Sequence, residues 1–142
     1  MKPTLVAVAL AMSTTACSSP SPPASGAAGS GSRPGLAGVS PGIVDAEQAQ
    51  KLVDAGVKVV DVRTPAEFGT GHVPGALNIP FDQIERRASE IGDPSAPVLL
   101  YCRSGRRSAV ATQSLRRLGF EEIYDLRAYD LWAASEAARA GR

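Results

Sequence analysis

Aromatic residues make up only 5% of this chain of 142 residues, with a single tryptophan among them. A core must therefore be built from Ala, Val, Leu and Ile, a composition that suits parallel strands buried on both faces. Histidine occurs once, as His72, and cysteine twice, as Cys17 and Cys102. One histidine and one cysteine in the globular part cannot assemble a zinc site, so no metal and no cofactor is expected. The two cysteines lie in segments of very different character, which argues against a structural disulfide. Charge of one sign is also missing. The chain has 15 basic and 14 acidic residues, and removal of Lys2 would leave 14 of each. No nucleic-acid partner is expected from so even a balance.

The first part of the chain is not globular in composition. Lys2 gives a positive start, and residues 5–12 form an apolar run too short to span a bilayer, which takes about 20 residues. Small residues follow, ending in Ala16 and Cys17. This resembles the lipobox of bacterial lipoproteins, with Thr14 where leucine is usual. The resemblance implies a signal peptide over 1–16 and a lipid on Cys17. The chain would then sit in the bacterial cell envelope, on the periplasmic face. Ser18, in place of an aspartate, favours the outer membrane. The alternative is a plain secretory signal and a soluble periplasmic protein. Residues 17–38 are rich in Ser, Pro, Gly and Ala, and read as a flexible tether spanning roughly 25 Å. Residues 39–142 are left for one folded domain with one core.

That domain alternates helix and strand patterns. Asp45 with Gln48 reads as a capping box opening a helix that ends near Gly56. Residues 57–62 read as a buried strand. Thr64 and Glu67, with Pro65 between them, form a second capping box on a short helix. A short strand over 76–79 is stopped by Pro80. Asp82 with Glu85 caps a helix running to about Ile91. Strands over 98–101 and 122–126 and helices over 108–118 and 129–138 complete the series. In the helix over 108–118 the expected buried positions are Ala109, Val110, Ala111, Leu115 and Leu118. Alternation of this kind implies a parallel sheet covered on both faces, with ligands beyond the carboxyl ends of its strands. Asp61, Arg63 and Cys102 fall at such ends.

The run Tyr101-Cys102-Arg103-Ser104-Gly105-Arg106-Arg107-Ser108 carries the chemistry. An apolar strand delivers one thiol into a Gly- and Arg-containing turn with a helix directly after it. Backbone N–H groups, a helix N-terminus and guanidinium groups all favour thiolate over thiol. The thiolate is the nucleophilic form. Gly105 permits a backbone conformation that a side chain resists. Arg103, Arg106 and Arg107 would attract an anionic partner. Arg63 and Glu67 stand four apart and are expected to form an ion pair. Asp61 is expected to accept N–H groups near Cys102, and His72 to tie down a turn.

Two segments together resemble the rhodanese family of sulfurtransferases. The first holds Asp61-Val62-Arg63, Glu67-Phe68, Gly71-His72-Val73, Gly75-Ala76 and Asn78-Ile79-Pro80. The second is the loop from Cys102 to Arg107. The resemblance implies an α/β fold with a central five-stranded parallel sheet and helices on both faces. It implies transfer of sulfane sulfur from a small anionic donor such as thiosulfate through a Cys102 persulfide to a thiol or protein acceptor. The family also includes persulfide carriers and protein-docking modules, which is the alternative reading. Cysteine phosphatases and arsenate reductases look similar but have five residues between Cys and Arg. Here four separate Cys102 from Arg107, and Ser108 stands where their arginine would. One departure from the family concerns the Gly-Gly pair that often precedes the last helix. This chain has Arg127-Ala128 there.

Overall fold

The computed structural model describes residues 36–142. The expected signal peptide and lipidated Cys17 lie outside the described residues, as does the tether up to residue 35. Leu36 packs against the core, and its carbonyl accepts the Val39 N–H at 3.1 Å.

The elements run β1 (Gly42–Ile43), α1 (Ala46–Asp54), β2 (Lys58–Asp61), α2 (Pro65–Gly69), β3 (Leu77–Asn78), a 3₁₀ turn (Ala88–Glu90), β4 (Val98–Cys102), α3 (Arg106–Arg117), β5 (Ile123–Ala128) and α4 (Tyr129–Ala140). All five strands are parallel, in the order β1-β5-β4-β2-β3. The fifth strand is β1, whose two residues carry no alternation for sequence to reveal.

Both capping boxes form. The Asp45 carboxylate accepts the Gln48 N–H at 2.8 Å while the Gln48 side chain accepts the Asp45 N–H at 3.1 Å. Thr64 and Glu67 exchange the same pair of bonds around Pro65. The helix expected over 82–91 does not form as such. Residues 81–87 are turns, followed by the 3₁₀ turn. Ile84 and Ile91 nevertheless reach the core, because two apolar anchors suffice to hold an irregular segment down.

Successive residues of β4 face opposite layers, as the strand period of two requires. Leu99 and Tyr101 join Ala49 and Leu52 of α1 and Trp132 of α4 on one side. Val98, Leu100 and Cys102 join Ala111 and Leu115 of α3 on the other. The helices therefore cover both faces, and the thiol belongs to the α3 side. The buried residues of α3 are Ser108, Ala111, Ser114 and Leu115. Ala109 is exposed, and so are Val110 and Leu118, against expectation. The helix begins two residues earlier than the pattern suggested, and its register brings Ser108 inward beside the thiol.

Candidate active site

β4 is the middle strand, and all five of its residues are buried. It ends at Cys102, which is fully buried. The chain then turns through three residues and enters α3 at Arg106. Gly105 makes this turn with a φ of 91°, the left-handed region that glycine enters without steric cost. Its N–H points back at Cys102 Sγ at 3.0 Å. Sγ also donates to Ser108 Oγ at 3.7 Å, and that hydroxyl donates to the Gly105 carbonyl at 3.1 Å.

Burial raises the Cys102 thiol pKa. The N–H groups of Ser108 and Ser104, the Ser108 hydroxyl and the Gly105 N–H oppose it, and the result lies below the ordinary thiol value. Ser108, which lies outside the five residues singled out as the loop, thus acts on the sulfur through both its N–H and its hydroxyl. The only signal for this in the sequence was a small hydroxyl residue in the first turn of the following helix.

β2 ends beside β4, with Asp61 in register with Tyr101. The charges at this end pair differently from the spacing rule. Arg63 does not reach Glu67. It clamps Asp61 instead, with Nε 3.0 and 2.9 Å and Nη2 2.6 Å from the carboxylate oxygens. Asp61 also accepts the Arg63 N–H at 2.8 Å, so its partner is Arg63 and not the loop of Cys102. Arg63 Nη2 donates further to the Gly71 carbonyl at 2.6 Å, and its guanidinium carbon lies 4.5 Å from the centre of the Tyr129 ring. Burial lowers the Arg63 pKa, but the Asp61 carboxylate outweighs it and the net shift is upward. Tyr101 completes the fastening by accepting the Val73 N–H at 3.1 Å. His72 stacks on Phe68 with ring centres 3.8 Å apart, and its Nδ1 lies 3.1 Å from the Phe68 carbonyl. It closes the turn after α2.

Glu67 turns to the active-site loop. Arg107 Nη1 and Nη2 each meet one of its carboxylate oxygens at 2.7 Å. Fork-to-fork pairing of this kind is the stronger form of ion pair. The guanidinium of Arg107, with the Thr64 groups beside it, holds the Glu67 carboxyl down at about 2. A lowered carboxylate stabilises the fold above its ordinary pKa and loses that contribution as pH falls through the folded value. The window here runs from about 4.5 down to about 2. The Glu67 side chain is 27% exposed, so solvent screening limits the effect to about 1 kcal/mol. Glu67→Gln is expected to flatten the fall in stability across that window in urea titrations at stepped pH. An unchanged pH profile would show that the pair is not felt in solution.

Arg107 is therefore occupied, whereas Arg103 and Arg106 are exposed and make no ion pair among the described residues. Arg103 lines a shallow cleft of about 290 Å³ together with Arg63, Glu67, Thr70, Tyr129 and Asp130. Two further residues come to the site, Asp125 unannounced by the sequence and Arg127 from the place where the family often has a Gly-Gly pair. Asp125 is 8% exposed. Burial raises its carboxyl pKa, opposed by the nearby Ser108 hydroxyl and by the Arg127 N–H, which the carboxylate accepts at 2.8 Å. Arg127 itself lies against Gly105.

Comparison with known proteins identifies the family and the fold. Residues 45–135 match the rhodanese-like domain family. Protein YqhL of Bacillus subtilis is 47% identical over 70 residues, covering 49% of this chain, which spans 55% of that protein. A sulfurtransferase of Allochromatium vinosum is 42% identical over 86 residues, covering 59% of this chain and 79% of the relative. Among solved structures, the human single-domain sulfurtransferase TSTD1 superposes with a TM-score of 0.59 at 26% identity, covering 68% of this chain and 97% of that one.

Proposed function

This chain belongs to the rhodanese-like family, and from that premise we propose that it moves sulfane sulfur through a persulfide on Cys102. One observation carries the reading: the Cys102 thiol ends the middle strand and takes the Gly105 N–H at 3.0 Å. In the first half-reaction the Cys102 thiolate attacks the outer sulfur of thiosulfate. A sulfur–sulfur bond to Cys102 forms, the bond within the donor breaks, and sulfite leaves with the bonding pair. In the second, an acceptor thiolate or cyanide attacks the terminal sulfur, and the Cys102 thiolate is the leaving group. The N–H groups of Ser104, Gly105 and Ser108 face negative charge on sulfur in both resting states. Fixed donors of this kind need no reorganisation when the charge develops. Ser108 also supports sulfur over phosphate chemistry. It fills the position where a wider phosphate loop would carry its arginine, and its side chain is buried against the thiol.

Intact-mass spectrometry of the full chain after thiosulfate treatment tests this. The expected result is a gain of one sulfur atom, mapped to the peptide holding Cys102 and lost on addition of cyanide. A folded protein with no added sulfur would remove thiosulfate as donor. A stoichiometric protein partner captured in its place would favour the carrier reading. The apolar run over 5–12 and Ala16-Cys17 support anchorage of the domain to the envelope through lipid on Cys17.

A further inference from the structure

Arg127 is the one residue other than glycine with a positive φ among the described residues, at 70°. Side chains avoid this region because Cβ crowds the following carbonyl. The strand register shows what imposes it. Leu100 pairs with Asp125 and Tyr101 with Arg127, so Leu126 is an extra residue in β5. A bulge of this kind bends the strand and re-aims the side chain after it. The Arg127 N–H is then held by the Asp125 carboxylate at 2.8 Å. The resemblance to rhodaneses implies a Gly-Gly pair near this place, and glycine would adopt this conformation freely. This chain keeps the left-handed conformation and places a guanidinium on it.

The side chain lies across the active-site loop. A Cβ added to Gly105 would be 2.8 Å from Arg127 Nε, 3.1 Å from its Cβ and 3.4 Å from its Nη2. Gly105 is the residue whose N–H meets Sγ, so standard bond lengths put Arg127 Nε within about 9 Å of the sulfur. The neighbouring guanidiniums of Arg63 and Arg107 are occupied by Asp61 and Glu67. Arg127, like Arg103 and Arg106 of the loop, has no ion-pair partner among the described residues, and it is the one whose side chain lies against Gly105. Asp125 takes its backbone N–H and leaves the guanidinium free. A planar, permanently charged fork suits the oxygens of an oxyanion.

We propose that Arg127 is a specificity-determining residue of the Cys102 site, receiving the oxyanion end of an anionic sulfur donor while the outer sulfur meets Cys102. This rests on the sulfur-transfer reading above. In the transfer step the sulfur–sulfur bond of thiosulfate breaks as the one to Cys102 forms, and sulfite departs from beside Arg127 carrying the bonding pair.

Arg127→Gly and Arg127→Lys in the full chain test it. Glycine fits the left-handed backbone, so the first variant is expected to fold. The readout is the rate of Cys102 alkylation by iodoacetate, which is anionic, relative to iodoacetamide, which is neutral, measured on the peptide containing Cys102. Arg127→Gly is expected to lower that ratio about fivefold while the iodoacetamide rate stays within about twofold, and Arg127→Lys to retain most of it. An unchanged ratio, or an equal loss with both reagents, overturns the proposal. A second readout does not need the sulfur to react. In a Cys102→Ser chain, thiosulfate is expected to displace the Arg127 Nε–H resonance, and its absence of response overturns the proposal too. The two readings fail separately. Persulfide formation with an unchanged alkylation ratio removes Arg127 alone. A lowered ratio with no persulfide removes thiosulfate transfer and leaves Arg127 as the anion-binding residue.

Discussion

Cys102→Ser is expected to abolish sulfur gain from thiosulfate and to cut turnover by at least about 10³-fold, because the covalent intermediate has no other atom to form on. The site itself should survive. Serine is smaller than cysteine, and a hydroxyl at that position still meets the Gly105 N–H and the Ser108 side chain. Stability is therefore expected to change by only about 1 kcal/mol, which a urea titration will show. Loss of sulfur transfer with retained folding is the informative combination. Continued sulfur gain by the serine variant would move the chemistry off Cys102, and peptide mapping would show where it went. The same variant is the proper background for following Arg127, since it separates anion binding from covalent chemistry.

Asp61→Ala is expected to cost about 3–5 kcal/mol of stability, the largest loss from any single charge change in this domain. Asp61 is fully buried and Arg63 is 5% exposed. Removing the carboxylate leaves a guanidinium in the interior with three lost contacts. The damage spreads, because Arg63 also holds the Gly71 carbonyl and lies over the Tyr129 ring. The turn at Gly71, the end of β2 and the start of α4 are fastened through this one side chain. A domain of this size has about 5–15 kcal/mol in total, so the variant sits near the limit of folding. Urea midpoints of the full chain measure the effect. A loss below about 1 kcal/mol would show that the pair behaves like an exposed one and that water reaches it. The double replacement Asp61→Asn with Arg63→Met should lose less than the sum of the two single changes, because neither charge is then left alone.

The sequence by itself determined the features that depend on neighbours in the chain. The strand before Cys102, the turn through Gly105 and the helix after it follow from an apolar run, a glycine and a change of period within about a dozen residues. Both capping boxes form as written, since their bonds span three residues. The lowered thiol follows from the same local arrangement. Tertiary structure decided whatever depends on strand register. Arg63, just past the end of β2, pairs with Asp61 two residues back, and Arg107 takes Glu67 from forty residues away. A spacing rule for helices had no means of choosing between them. The two residues of β1 become a strand only because β5 offers an edge. Ser108 faces the thiol because α3 starts at Arg106 and turns that side inward. The bulge at Leu126, and with it the left-handed Arg127 over Gly105, exists only where β5 meets β4. That an unpaired guanidinium lies over Gly105 was settled there, by the geometry of two strands that are distant in sequence.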